Sequence, residues 1–398
     1  MLDAGLERHL RAIVGPNGIV GGEDLRSRSA GVWGRPRTIA AGLLVRPADT
    51  GEVAAVLAEC NRRCQPVVTH GGLTGTVDGA WAEPHELVLS LERMQAIEEL
   101  DPDGRTLLVQ GGATLQSVQE AAEEAGLMFP LDLGGRGSAT LGGNAATNAG
   151  GNRVLRYGMV RQSILGLEAV LADGRVLSSL NSLLKNNAGY DLKQLFIGSE
   201  GTLGVITRLV LRLLPAPASQ QTALLSAPDF ASVVRLLGRL DRDLGGQLSA
   251  FELLWGNFYD FMAEPLSTPP LPRGQPFYVL AESLGADPEY DQARFEQVLS
   301  DCLDERLVID AVIAKSEQER RNIWAVRDDV VRLWELEPMF LFDVSLPIRA
   351  MQDYVSELEQ ALRERWPDAV FFVFGHLGDG NLHLSISAGP ADGSARPA

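Results

Sequence analysis

The chain has 398 residues, 45% of them apolar and 22% charged, which is enough to bury two or three cores and too apolar for wholesale disorder. Its 35 Lys and Arg against 52 Asp and Glu give a net charge of −17, which repels polyphosphate and excludes nucleic acid as an expected partner, though not a local basic pocket. No run of about 18 apolar residues occurs, so no membrane span is expected. Cys60 and Cys64, four apart on an expected helix, allow a thiol pair or half a metal site, but no second CxxC or Cys/His cluster accompanies them, and with Cys302 they read as ordinary small core residues of a reducing, cytoplasmic compartment. Leu2, Leu6, Leu10 and Ile13 recur at helical spacing, and Asp3 and Glu7 among them favour a surface helix over a transit peptide.

Residues 1–38 read as a helical lead-in. Asp49 to Glu52 then forms a capping box that opens a helix reaching Arg63. A strand over 66–68 ends in a glycine cluster at 71–75, and strands follow at 86–91 and 106–110. Thr114 caps a helix that stops at Gly126. Residues 165–177 read as a hairpin with Asp173-Gly174 at its turn. Pro215-Ala216-Pro217 marks a boundary, so that 39–215 and 216–398 form two domains. Beyond it we expect helices at 229–240, 289–303, 316–335 and 349–365. Strands are expected at 277–283, 307–313, 340–345, 369–374 and 382–387, together an α+β layer with helices on one face of a sheet.

Two glycine-rich loops carry the first chemistry. The first, His70 to Gly79, holds four glycines and two threonines; the second, 137–151, reads GSATLGGNAATNAGG. Glycines let backbone N–H groups approach a phosphate, and threonines add hydroxyl donors. Neither loop is a P-loop or a GxGxxG fingerprint. With GSEGTLG near 200, they point to a dinucleotide held by loop backbone. Nearer the end, His376 and His383 flank a turn at Asp379-Gly380, so both imidazoles can converge across the base of a hairpin. Imidazole pairs are common ligands of zinc and similar divalent ions. The spacing alone leaves structural histidines equally open. His9 and His85 read as surface residues.

HGGLTGTVDGA, ATLGGNAATNAGGNRVLRYG, GYDLKQLFIGSEGTLGVIT and GHLGDGNLH together resemble the FAD-binding D-2-hydroxyacid dehydrogenase family, over roughly 40–387. This is a branch of the vanillyl-alcohol-oxidase-type flavoproteins that includes D-lactate and D-2-hydroxyglutarate dehydrogenases. The resemblance implies an α+β fold. A two-subdomain PCMH-type FAD-binding domain (39–215) precedes an α+β substrate or cap domain (216–398), a ferredoxin-like sheet plus helices. It implies noncovalent FAD, touched by His70, Gly71, Gly72, Leu73, Thr74 and Gly75 in the first loop. The second loop would add Ser138, Thr140, Gly142, Gly143, Asn144, Thr147, Asn148 and Gly150, and the third segment Glu200, Gly201, Gly204 and Ile206. It also implies a divalent metal, zinc by preference, on His376 and His383. Arg327, in NIWAVRDDV, would grip the substrate carboxylate bidentately, with Asn381 and Ser385 as further substrate contacts and His383 and Arg327 as catalytic residues.

Two departures refine the expectation. Where the 2-hydroxyglutarate branch carries threonine, lysine and asparagine, this chain has Val331, Leu341 and Ser385, which favours a shorter or more apolar 2-hydroxyacid. The family's downstream Glu-His pair, a metal ligand and a base, is absent after His383, so the domain over 216–398 is expected to be incomplete, a C-terminal truncation. The expected function is oxidation of a D-2-hydroxyacid to the 2-oxoacid by hydride transfer to flavin N5. Electrons would leave to a quinone, cytochrome or electron-transfer flavoprotein, and a homodimer is allowed. The alternatives are a catalytically impaired flavin-binding homologue or another alcohol oxidase of the same superfamily.

Overall fold

The computed structural model describes residues 4–31 and 35–387. The chain divides into two compact units, one of residues 1–151 and 158–216, the other of residues 152–157 and 217–398.

The first unit contains two sheets with separate cores. A four-stranded sheet runs in the order Ile19–Val20, Leu43–Val45, Leu87–Ser90, Val67–His70, and its last three strands are parallel. Helix Thr50–Arg62 covers it. Asp49 accepts from the Glu52 N–H (2.8 Å), and Glu52 reaches back to the Ala48 N–H (2.7 Å), one residue before the cap. The amphipathic helix Ala4–Val14 buries Leu6, Leu10 and Val14 in the same core as Val53, Val56 and Leu87. The second sheet is five-stranded and antiparallel, in the order Val176–Ser179, Ile164–Val170, Val205–Arg212, Thr106–Gln110, Ile97–Asp101. The expected hairpin closes at Gly174, whose φ of +86° is a conformation glycine adopts freely. Helix Leu115–Glu124, capped by Thr114, packs Leu115, Val118 and Ala122 against this sheet's core.

The second unit is built on a seven-stranded antiparallel sheet. Its order is Asp310–Ile313, Ser219–Ala227, Phe277–Gly285, Leu248–Trp255, Val370–His376, Asn381–Ser387, Met339–Ser345. The expectation of helices on one face is corrected here, because alternate side chains of the same strands enter two different cores. Leu225, Leu253, Val279 and Val373 face helices Phe230–Asp243, Pro288–Asp304 and Ile348–Arg365. Leu224, Leu254, Leu280 and Phe374 face helices Gly256–Ala263 and Glu317–Asp328. Both faces are therefore apolar, which is why strands Ser219–Ala227 and Leu248–Trp255 show no alternation and escape a reading based on period two. The helix expected over 316–335 stops at Asp328 and continues as 3₁₀ turns over Val330–Leu336.

Cys60 and Cys302 sit as expected of core residues, but Cys64, just past the end of helix Thr50–Arg62, does not. Burial, with the charge of Glu59, pushes the Cys60 thiol up to about 11, and burial does the same for Cys302. Cys64 is exposed. A native thiol titration should thus show one fast equivalent, abolished by Cys64→Ser, with the other two released only on denaturation. A second fast equivalent in the native protein would contradict the burial of Cys60 and Cys302.

Candidate active site

In the first unit, strand Val67–His70 delivers the first glycine loop. His70 is 2% exposed, its Nε2 donates to the Ala80 carbonyl (2.8 Å), and burial holds its pKa below the usual imidazole range. Its ring thus ties down the far arm of the loop, leaving the backbone of Gly71 to Gly75 for other use. That backbone lies against the second loop. A Cβ at Gly72 would meet the Ser138 carbonyl oxygen at 1.9 Å, and one at Gly71 would meet Thr140 Oγ1 at 2.9 Å and Gly143 Cα at 3.3 Å. Thr140 caps the short helix Leu141–Ala146 by accepting from the Gly143 N–H, and Thr147 Oγ1 donates back to the Gly143 carbonyl. Leu73, Asn148, Glu200 and Gly201 all take positive φ, and Thr74 packs near Gly135.

The third segment meets the second. The N–H groups of Gly198 and Glu200 donate to the carbonyls of Ala145 and Ala146 (3.0 and 2.8 Å), Gly204 lies against Val170, and Ile206 is buried. Gly75 makes no such close approach, and Gly150 is half-buried. The reading of the sequence missed Gly111-Gly112, just past strand Thr106–Gln110. A Cβ at Gly112 would fall 2.0 Å from the Leu91 carbonyl oxygen, and the Gly142 N–H donates to the Gly111 carbonyl (2.7 Å). A glycine pair ending a strand was the available signal. The Asn144 side chain is buried with its Nδ2 lacking any hydrogen-bond partner. A backbone-lined cradle with an orphaned buried amide donor suits the oxygens of FAD.

In the second unit, the hairpin Val370–His376 and Asn381–Ser387 pairs His376 with Asn381 and Phe374 with His383, and Gly380 turns it at φ +85°. The two imidazoles converge, with their Nε2 atoms 3.3 Å apart. Arg327, 8% exposed on helix Glu317–Asp328, brings its Nη2 to 3.3 Å from each of them. Asn381 donates weakly to Ser345 Oγ (3.5 Å). Ser385, buried opposite Leu341, lies on the same strand face as His383. Val331 is exposed on the 3₁₀ turns.

Two carboxylates that the sequence reading missed organise this cluster. Glu252 Oε2 accepts from Arg327 Nε (2.8 Å), and its Oε1 lies 2.6 Å from His376 Nδ1. Asp343, directly opposite His383 in the sheet, takes His383 Nδ1. Burial opposes ionisation of Glu252, but its contacts with His376 and Arg327 outweigh it and hold its carboxyl at about 2. Asp343 is itself more exposed; the crowding of its carboxylate by the cluster opposes ionisation, yet the hydrogen bond from His383 keeps it below the usual carboxylate range. Burial pushes His383 down against the pull of Asp343, so its ring is neutral near pH 7 with the Nε2 lone pair presented to the cluster. For Arg327 the desolvation is overcome by Glu252 and Asp328, which raise its pKa. The signal for Glu252 was a single carboxylate inside the apolar run Leu248–Trp255, a residue that is tolerated there only when paired.

Two imidazole nitrogens each ~2.05 Å from a tetrahedral zinc stand about 3.3 Å apart, so the pair has the spacing of two metal ligands. Among the described residues no third His, Cys, Asp or Glu completes a set. No helix among the described residues is long and apolar enough to cross a membrane.

Comparison with known proteins places these features in a family. Residues 41–179 match an FAD binding domain, and residues 216–397 match the C-terminal domain of FAD linked oxidases. D-2-hydroxyglutarate dehydrogenase, mitochondrial, of Bos taurus is 40% identical over 87% of this chain and 63% of its own length. The Arabidopsis thaliana protein of the same name is 35% identical over 97% of this chain and 69% of its own. D-2-hydroxyglutarate dehydrogenase of Xanthomonas citri pv. viticola is 36% identical over 85% and 71%. The chain therefore spans about two thirds of the length of the curated relatives it matches. Among solved structures, p-cresol methylhydroxylase with substrate bound superposes with a TM-score of 0.74 at 16% identity, over 97% of this chain and 83% of that one, which speaks for the fold. By motif, domain match and overall similarity, the chain belongs to the family of FAD-linked D-2-hydroxyacid dehydrogenases.

Proposed function

We propose that the chain oxidises a D-2-hydroxyacid to the corresponding 2-oxoacid. The observation that carries this reading is the convergence of Arg327, His376 and His383 on one point, each backed by a buried or bonded carboxylate. FAD, which the glycine loops of the first unit would hold, would supply the two-electron acceptor for the C2 hydride. Arg327 takes the substrate carboxylate in a charge-assisted pair and so fixes which face of C2 is offered. His376 and His383 would hold a divalent ion such as zinc, which polarises the hydroxyl and carboxylate oxygens.

Charge balance supports the metal. Glu252, Asp328 and Asp343 set three carboxylates against the guanidinium of Arg327, a surplus of negative charge that repels an acid substrate unless a dication offsets it. A second reading, without metal, is favoured by the position of Arg327 Nη2, 3.3 Å from both rings. There His383, oriented by Asp343, takes the hydroxyl proton as general base. Leu341 opposite Ser385 offers an apolar contact and an alcohol rather than a second cation, which supports D-lactate or an apolar homologue over 2-hydroxyglutarate. The cytoplasmic placement drawn from the free cysteines stands beside relatives named as mitochondrial, and both compartments are reducing. Electron transfer to a quinone, cytochrome or electron-transfer flavoprotein, and assembly as a homodimer, belong to the same proposal.

The test is anaerobic mixing of the yellow protein with a panel of D-2-hydroxyacids, before and after chelation. Bleaching of the visible flavin band by D-lactate or an apolar acid is the expected result. Loss on chelation and recovery with zinc selects the metal reading, and indifference to chelation selects His383 as base. A flavin-loaded protein bleached by no 2-hydroxyacid sinks the proposal, and bleaching best with 2-hydroxyglutarate sinks its substrate preference.

A further inference from the structure

Strand Leu248–Trp255 is buried through nearly its whole length, and its one charged residue is Glu252, 1% exposed between Phe251 and Leu253. It stands directly opposite His376 in the sheet. Its two oxygens are divided between two partners: Oε2 accepts from Arg327 Nε at 2.8 Å, and Oε1 faces His376 Nδ1 at 2.6 Å. Each contact removes a freedom. An imidazole that gives its Nδ1–H to a carboxylate is held in the tautomer whose lone pair lies on Nε2. A guanidinium tied at Nε can rotate only with the whole side chain, so its Nη2 is held toward His376 and His383 while Nη1 meets Asp328. Asp343 does this for His383 alone. Glu282, on the neighbouring strand, spends its carboxylate on Arg153, Gln220, Ser249 and Trp324 and touches none of the cluster.

We infer that Glu252 is the positioning residue of the cluster, one buried carboxylate that sets both the tautomer of His376 and the plane of the Arg327 guanidinium. The inference rests on the reading that this cluster handles the hydroxyacid, and its test has one arm that needs no substrate. With the five histidines labelled with ¹⁵N in the flavin-loaded full chain, two-bond ¹H–¹⁵N correlations report each ring's tautomer, and His376 is assigned by its loss in His376→Asn. The expected result is an Nδ1–H ring for His376. An Nε2–H or doubly protonated ring overturns the inference whether or not any variant folds.

The second arm is Glu252→Gln, which keeps the shape but can donate to Nδ1. His376 should then gain the Nε2–H form, and kcat should fall about 10–100-fold with KM changing less. Glu252→Asp, which keeps the charge but cannot reach both partners at once, should restore part of kcat. A flavin-loaded Glu252→Gln protein with wild-type tautomer and wild-type kcat overturns the inference. Failure of the wild-type protein to bleach with any hydroxyacid removes the functional reading instead, while the tautomer still decides the role of Glu252.

Discussion

Replacing Arg327 by lysine should lower kcat/KM for the best D-2-hydroxyacid about 10²–10³-fold while leaving flavin content unchanged. Lysine keeps the charge but not the fork. It can satisfy Glu252 or reach the rings, whereas Arg327 now bonds Glu252 through Nε and addresses both Nε2 atoms through Nη2. By the conversion of tenfold per about 1.36 kcal/mol, the loss corresponds to about 3–4 kcal/mol of binding realised at the reacting centre. Arg327→Ala is the harsher change and the poorer test. It strands the buried Glu252 carboxylate beside His376 alone, and breaking a buried pair in this way costs about 3–5 kcal/mol of stability. The lysine variant separates recognition from folding: a protein with the thermal midpoint and yellow colour of the wild type that reduces its flavin slowly supports the assignment. Wild-type rates with Arg327→Lys would remove Arg327 from the site.

The same cluster shows where sequence reading succeeds and where it stops. His376 and His383 were legible because a Gly-Asp-Gly turn folds seven residues into a hairpin, and antiparallel register then brings positions on either side of the turn together. Arg327 was legible only through a motif resemblance, since nothing in the run of helix Glu317–Asp328 says that one of its arginines faces the sheet. Glu252 left a trace as a lone carboxylate in an apolar run, but the partners of Glu252 and Asp343 were not legible. The two carboxylates lie 124 and 40 residues from their histidine partners, and their pairing depends on strand order, which local pattern does not encode. The glycine loops of the first unit divide along the same line. Glycine density marked the loops at 71–75 and 137–151, but the need for glycine at Gly111-Gly112 comes from the approach of Leu91 and Gly142, which only the fold brings near. In the second unit, strands buried on both faces lost the alternation that would have declared them, so the sheet was undercounted where it is most buried.

A single methyl group at Gly72 should abolish tight FAD binding. The added Cβ would lie 1.9 Å from the Ser138 carbonyl oxygen and 2.7 Å from Ala139 Cα, both backbone atoms. No side-chain rotamer relieves such an overlap, so the two loops must part by more than an ångström, and the cradle that presents their N–H groups together is lost. Gly72→Ala should therefore weaken FAD binding at least about 100-fold, some 3 kcal/mol, measured by titrating the apoprotein with FAD and following flavin fluorescence. The rest of the unit's two cores does not depend on this contact, so circular dichroism should retain the wild-type secondary structure. Gly238→Ala supplies the control. Gly238 is exposed within helix Phe230–Asp243, and a methyl added there would have nothing within 4 Å, so alanine should retain FAD and add about 0.5–1 kcal/mol of stability. Wild-type FAD affinity in Gly72→Ala would mean that the flavin phosphates are held elsewhere than on the apposed backbones of these loops.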